Sequence, residues 1–137
     1  LLCLLLLFFR DVGRRRVGSG ADPEDCRETS RRARLVQEAK CYLEKHYHEG
    51  LTLERIAEAL EISPFYLSRS FSPESDFSLF GYLTYVRMTQ AATLLRESRL
   101  TVAEVAYRVG FDAPNYFSKV FRRFHGCSPS RFASQSL

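Results

Sequence analysis

Tryptophan is absent from this 137-residue chain, methionine occurs once, as Met88, and turn formers are scarce, with seven glycines and five prolines. No stretch alternates apolar and polar residues, so a sheet protein or a long α/β enzyme is disfavoured and helices are expected. The four cysteines, Cys3, Cys26, Cys41 and Cys127, form no C-x-x-C pair, which argues against a zinc ribbon or a redox dithiol. They read as reduced thiols. His46 and His48 stand two apart, a spacing that sends them to different faces of a helix, so no metal site is expected, and no other cofactor. G-x-S-x-G, P-loop and H-E-x-x-H motifs are all missing and the carboxylates stand singly, so catalysis is not expected. The apolar run over residues 1–9 is under half the length needed to cross a bilayer core.

What the chain does contain is 45% hydrophobic residues, with 11 Phe and 7 Tyr, enough for one packed domain. Charge is unevenly placed. Residues 1–34 hold eight arginines against five acids, whereas the remaining residues hold twelve basic side chains against eleven acids. Residues 113–137 contain no acid at all but carry Lys119, Arg122, Arg123 and Arg131. The first 34 residues read as an apolar stub and flexible linker, a fragment of a missing upstream region. Arg10, Arg14, Arg15 and Arg16 follow the stub as they would follow a membrane helix, and Gly18, Ser19, Gly20 and Pro23 mark residues 17–32 as linker.

From Ser30 the spacing becomes helical, with Leu35, Val36, Ala39, Tyr42, Leu43, His46 and Tyr47 on one stripe and Gly50 as a stop. An internal repeat follows. TLERIAEALEISPFYLSRSF (52–71) aligns with TVAEVAYRVGFDAPNYFSKVF (101–121), with Ala113 inserted. The alignment pairs Thr52 with Thr101, Ile56 with Val105, Ala57 with Ala106, Leu60 with Val109, Ile62 with Phe111, Tyr66 with Tyr116, Leu67 with Phe117 and Phe71 with Phe121. Two copies of one structural unit are implied. In each, a threonine cap opens a short helix, a tight turn follows, and Pro64 or Pro114 stands in the first turn of a second helix. Thr101 and Glu104 form a capping box, while Thr52 caps alone because Arg55 stands at the glutamate position. Gly110 suits the second turn; Glu61 must serve in the first at some conformational cost. Helix, tight turn, helix is the helix-turn-helix pattern. Between the copies, residues 78–97 have the spacing of one long helix, and Ser128 with Pro129 predicts a last short helix that docks Phe132.

Over about residues 35–133, LTLERIAEALEISPFYLSRSF and YLTYVRMTQAATLLRESRLTVAEVAYRVGFDAPNYFSKVFRRFHGCSPSRF closely resemble the AraC/XylS family of bacterial transcription regulators. The resemblance implies an all-α fold of about seven helices: two helix-turn-helix subdomains, 52–72 and 101–125, joined by a linker helix over 78–97. It also implies sequence-specific binding of double-stranded promoter DNA in the cytoplasm, commonly with activation through RNA polymerase. Mapped onto this chain, the base-facing positions are Phe65, Ser68 and Arg69 in the first unit and Asn115, Ser118 and Lys119 in the second. Phosphate contacts fall to Ser63, Thr101, Arg122, Arg123 and Arg131. The chain departs from the family after the first unit, where Ser72 replaces a usual basic residue, Pro73 should end the helix and Asp76 replaces a usual glycine.

Arg69 can donate two bonds to guanine and Asn115 can pair with adenine, although an exposed arginine is also an ordinary solvated charge. Ser68 and Ser118 suit base or phosphate, and Phe65 suits a thymine methyl or its own neighbours. Arg122 and Arg123 fit phosphates, and equally the negative end of their own helix. The alternative function is a degenerate helix-turn-helix module acting in protein–protein interaction, which Ser72 and Asp76 favour. The signal is expected from an upstream sensor or membrane segment, or from a partner.

Overall fold

The structure, a computed structural model, describes residues 23–71 and 78–135. Among these residues it is all-helical: α1 (Pro23–His46), α2 (Leu53–Ala59), α3 (Pro64–Ser70), α4 (Leu79–Glu97), α5 (Val102–Arg108), α6 (Pro114–His125) and α7 (Pro129–Gln135). The helix starts follow the expected caps. Thr52 accepts from the Arg55 amide alone, Ser63 accepts from the Tyr66 amide, and Thr101 and Glu104 complete a reciprocal capping box. Ser78 opens α4 by accepting from the Gly81 amide.

The two turns solve one geometric problem differently. Each short first helix ends in a left-handed residue, Glu61 at φ 56° and Gly110 at φ 92°. The glutamate bears the strain of its Cβ against the following carbonyl, about 1–2 kcal/mol, which glycine avoids.

Two hydrophobic cores result. Ala39, Leu43, Ile56, Ala57, Leu67, Phe71, Leu79 and Leu83 form the first, from α1, α2, α3 and the start of α4. Met88, Ala91, Leu95, Val105, Ala106, Val109, Phe111, Phe117, Phe121 and Phe132 form the second, from the end of α4 with α5, α6 and α7. Repeat partners hold matching places: Ile56 and Val105, Ala57 and Ala106, Leu67 and Phe117, and Phe71 and Phe121 are all buried.

Helix α4 belongs to both cores through different faces. Leu79, Leu83 and Val86 are buried on its first half, Met88, Ala91 and Leu95 on its second. At 3.6 residues per turn the two sets point roughly 150° apart, so the buried stripe crosses the helix halfway along. Tyr47, at the end of α1, packs against both cores and fills the seam between them.

The flexible linker expected over 17–32 is corrected over its described part, because α1 begins at Pro23. The reason is local chemistry. Pro23 at the first position, Glu24 and Asp25 in the first turn and the good helix formers Glu28, Arg31 and Arg32 extend the helix without an apolar stripe. A tertiary contact helps fix it: the Tyr66 hydroxyl donates to Glu28 at 2.9 Å, tying this extension to α3. His46 and His48, expected on different faces, both approach Glu49, at 2.7 and 4.0 Å. The helix ends at His46, so helical spacing no longer separates them. The apolar stub over 1–9 and the departures Ser72, Pro73 and Asp76 lie outside the described residues. Among the described residues, no helix is long and apolar enough to cross a membrane, and no group of three His, Cys, Asp or Glu side chains is placed to hold a metal ion. Cys26, Cys41 and Cys127 are free thiols.

Candidate nucleic-acid interface

Each second helix of a helix-turn-helix pair is anchored by one buried face and presents the other. In α6, Phe117 and Phe121 are buried four residues apart, with Phe117 packed edge-on against Phe111 and Phe121 against Phe132. Their anchoring fixes the rotation of the helix. Asn115, Lys119 and Arg122 are therefore exposed together at helical spacing, with Ser118 half-buried beside them and Arg123 exposed at one flank. In α3 the buried Leu67 and Ser70 play the anchoring part, and Phe65, Ser68 and Arg69 form the exposed face at the same offsets.

The serines and threonine expected to contact DNA have local tasks as well. The Ser118 hydroxyl donates to the Pro114 carbonyl at 3.0 Å, which commits its proton and leaves its oxygen as an acceptor. Ser63 accepts from the Tyr66 amide, so its own proton stays available to solvent or a phosphate. Thr101 differs, because its hydroxyl donates to the Glu104 carboxylate at 2.9 Å while its amide donates to the same oxygen at 2.7 Å. These bonds hold the Glu104 carboxyl below the ordinary carboxylate value, keeping a negative charge beside Thr101.

The electrostatics are asymmetric. Helix α6 carries Lys119, Arg122 and Arg123 and no acid, and its end is closed by Gly126 at φ 81°, whose amide donates to the Arg122 carbonyl at 2.8 Å. Arg131 is exposed on α7, the next helix. Helix α3 offers only Arg69. The structure thus gathers Asn115, Ser118, Lys119, Arg122 and Arg123 on one helix and keeps Phe65, Ser68 and Arg69 on another, with Ser63 and Thr101 at the starts of α3 and α5.

Sequence reasoning missed one feature of this surface, the exposure of Tyr116. Tyr116 is 61% exposed beside Asn115, whereas its repeat partner Tyr66 is half-buried and bonded to Glu28 of the α1 extension. Phe65, at 73% exposure, is the most open large apolar side chain on either second helix. Aromatic rings held in the open at this place suit apolar contact with sugar or with a thymine methyl.

Comparisons with known proteins agree with this geometry. A family model described as a helix-turn-helix domain matches residues 56–135. The HTH-type transcriptional activator RhaS of Salmonella schwarzengrund is 37% identical over 101 residues, covering 74% of this chain and 36% of that protein. The C-terminal domain of AraT, a response regulator from Geobacillus stearothermophilus, aligns with a TM-score of 0.69 at 41% identity, covering 74% of this chain and 84% of that one. The DNA-binding domain of AdpA, a global transcriptional factor solved in complex with a target DNA, aligns with a TM-score of 0.66 at 30% identity over 76% of this chain and 90% of that one. The chain spans about a third of the length of the curated relatives it matches, 33% and 38% for two from Escherichia coli.

Proposed function

Because the chain belongs to the AraC/XylS family of helix-turn-helix, DNA-binding transcription regulators, we propose that it grips one promoter duplex with both of its second helices, α3 and α6, in neighbouring major-groove segments. The observation that carries this reading is the exposed face of α6, where Asn115, Lys119, Arg122 and Arg123 stand together with no acid on the helix. Asn115 and Lys119 read base edges, Arg122, Arg123 and Arg131 engage phosphates, and Ser118 accepts from a base or sugar. On the other helix Arg69 reads a guanine edge and Phe65 and Ser68 complete the contact, with Ser63 and Thr101 nearest the backbone. Phosphate contacts supply affinity and base contacts supply preference.

Linker helix α4, at 19 residues, is about 28 Å long, which suits two contacts roughly one turn of duplex, about 34 Å, apart. The two faces differ in sequence, so the site is asymmetric. Activation through RNA polymerase is the proposed outcome, in line with the activator among the relatives. The cytoplasm is the proposed compartment, a sensory or membrane-anchored region the proposed source of the signal, and no catalysis is proposed.

Fluorescence anisotropy of a labelled duplex across a salt series tests the reading. Affinity should fall steeply and linearly on a log–log plot, and Arg122→Ala should lower the slope by about 0.9 for the one phosphate contact removed. Absence of binding at low salt, or binding indifferent to salt, would favour a protein-interaction module instead.

A further inference from the structure

We propose that Arg87, in the middle of α4, is a positioning residue that fixes the spacing between the two DNA-reading helices; this rests on the DNA-binding reading above. Its guanidinium joins three elements. Nε donates to the Tyr47 carbonyl at 2.8 Å and Nη2 to the Glu49 carbonyl at 2.9 Å, both in the loop that follows α1. The same group lies 5.6 Å from the centre of the Phe111 ring, in the turn of the second helix-turn-helix. One side chain of the shared helix thus holds the α1–α2 loop of the first subdomain against the turn of the second.

The surroundings are shaped for it. A Cβ added at Gly110 would lie 3.0 Å from Arg87 Nη2 and 3.0 Å from the Tyr47 carbonyl oxygen, so the second turn fits flush on this clasp only as glycine. The clasped segment is itself braced. His46 Nδ1 lies 2.7 Å from the Glu49 carboxylate, and Arg55 of α2 donates to the Gly50 carbonyl at 2.8 Å. Asp112 is the acid whose field reaches the guanidinium. Burial lowers the affinity of Arg87 for its proton, but arginine starts so high that it remains a cation.

The geometry makes a specific demand on the side chain. Two carbonyls two residues apart, those of Tyr47 and Glu49, are met by two donors of one planar fork, and lysine, with a single ammonium on a flexible stem, does not reproduce that fork. Tyr47 packs against both cores at the same seam. Binding side chains must be held within about 0.5 Å of their contacts, so a small swing about this seam is enough to spoil a fixed spacing. A regulator that holds such a spacing before it meets DNA avoids the cost of ordering its two halves on binding.

The test uses the whole chain free and bound. In the free protein, residual dipolar couplings of the backbone amides in α1 to α3 and in α5 to α7 should fit one shared alignment tensor. In Arg87→Ala each half should still fit a tensor, but the two tensors should differ. In selections from duplexes whose half-sites are separated by variable spacers, wild type should favour one spacer by about tenfold over its neighbours. Arg87→Ala should nearly erase that preference while keeping the base preference within each half. Arg87→Lys, which keeps the charge, should sit between the two and serves as the readout if the alanine variant does not fold. A shared tensor in both variants overturns the proposal, as does equal weakening at every spacer. No duplex binding by wild type sinks the DNA reading and the spacing claim together, whereas the dipolar couplings judge the clasp alone.

Discussion

Arg69 and Lys119 stand at equivalent places on α3 and α6, four residues after Phe65 and Asn115, and both are exposed. If each meets a base edge, Arg69→Ala and Lys119→Ala should each blur the preference at one or two base pairs, on opposite halves of the site, at about 1–3 kcal/mol per contact. Sequence logos from randomised duplexes would show it, and unchanged logos would reject the assignment. His125 makes a second test at this scale. It closes α6 by stacking on Phe121, with its ring also near Phe132, and its Nε2–H donates to the Met88 carbonyl at 3.2 Å. Desolvation holds its pKa below the ordinary 6.5, outweighing the bond to Met88, and the positive charge of Arg96 acts in the same downward direction. The unfolded chain therefore takes up a proton first as pH falls, and stability should drop below pH 6.5 until the folded imidazole titrates in turn. Denaturant midpoints across pH 5–7 should lose part of that slope in His125→Gln; an identical slope would mean that other groups carry it.

Much of the element scale was legible in the chain itself. Residues 52–71 and 101–121 repeat each other, and the threonine and serine caps with Pro64 and Pro114 announced the helix starts to within a residue. The early start of α1 was not legible, because it is polar around its circumference and one of its ties is a long-range bond to Tyr66. Arg87 was not legible either. A charge bonded to carbonyls about 40 residues upstream leaves no local pattern. The residues of the two exposed faces came from the family resemblance, and helical spacing from the buried Leu67 and Phe117 agrees with their exposure, whereas the exposure of Tyr116 was not anticipated. The turns give the prediction that belongs here. Glu61→Gly should raise stability by about 0.5–1 kcal/mol, relief of left-handed strain exceeding the chain entropy that glycine adds. Gly110→Ala and Gly126→Ala both force alanine into positive φ, but the Gly126 site is open while the Gly110 site meets Arg87 and Tyr47. Thermal denaturation should rank Gly110→Ala as the more damaging; the reverse order would contradict the clasp.

Over the whole molecule, α4 is the member common to both cores, and the crossing of its buried stripe between Val86 and Met88 sets one subdomain against the other. The two cores are consequently coupled. Phe117→Ala, which empties a fully buried site in the second core, should cost about 3–5 kcal/mol, and calorimetry should show one shared transition shifting down. Two separate transitions would mean that α4 and the Arg87 clasp do not bind the halves into one unit. The direct measurement of joint reading is a selection from fully randomised duplexes with the intact chain. It should return an asymmetric motif in two parts whose centres lie about 10 base pairs apart, one part altered by Arg69→Ala and the other by Lys119→Ala. A single short motif untouched by one of these substitutions would show that only one of the two helices reads DNA.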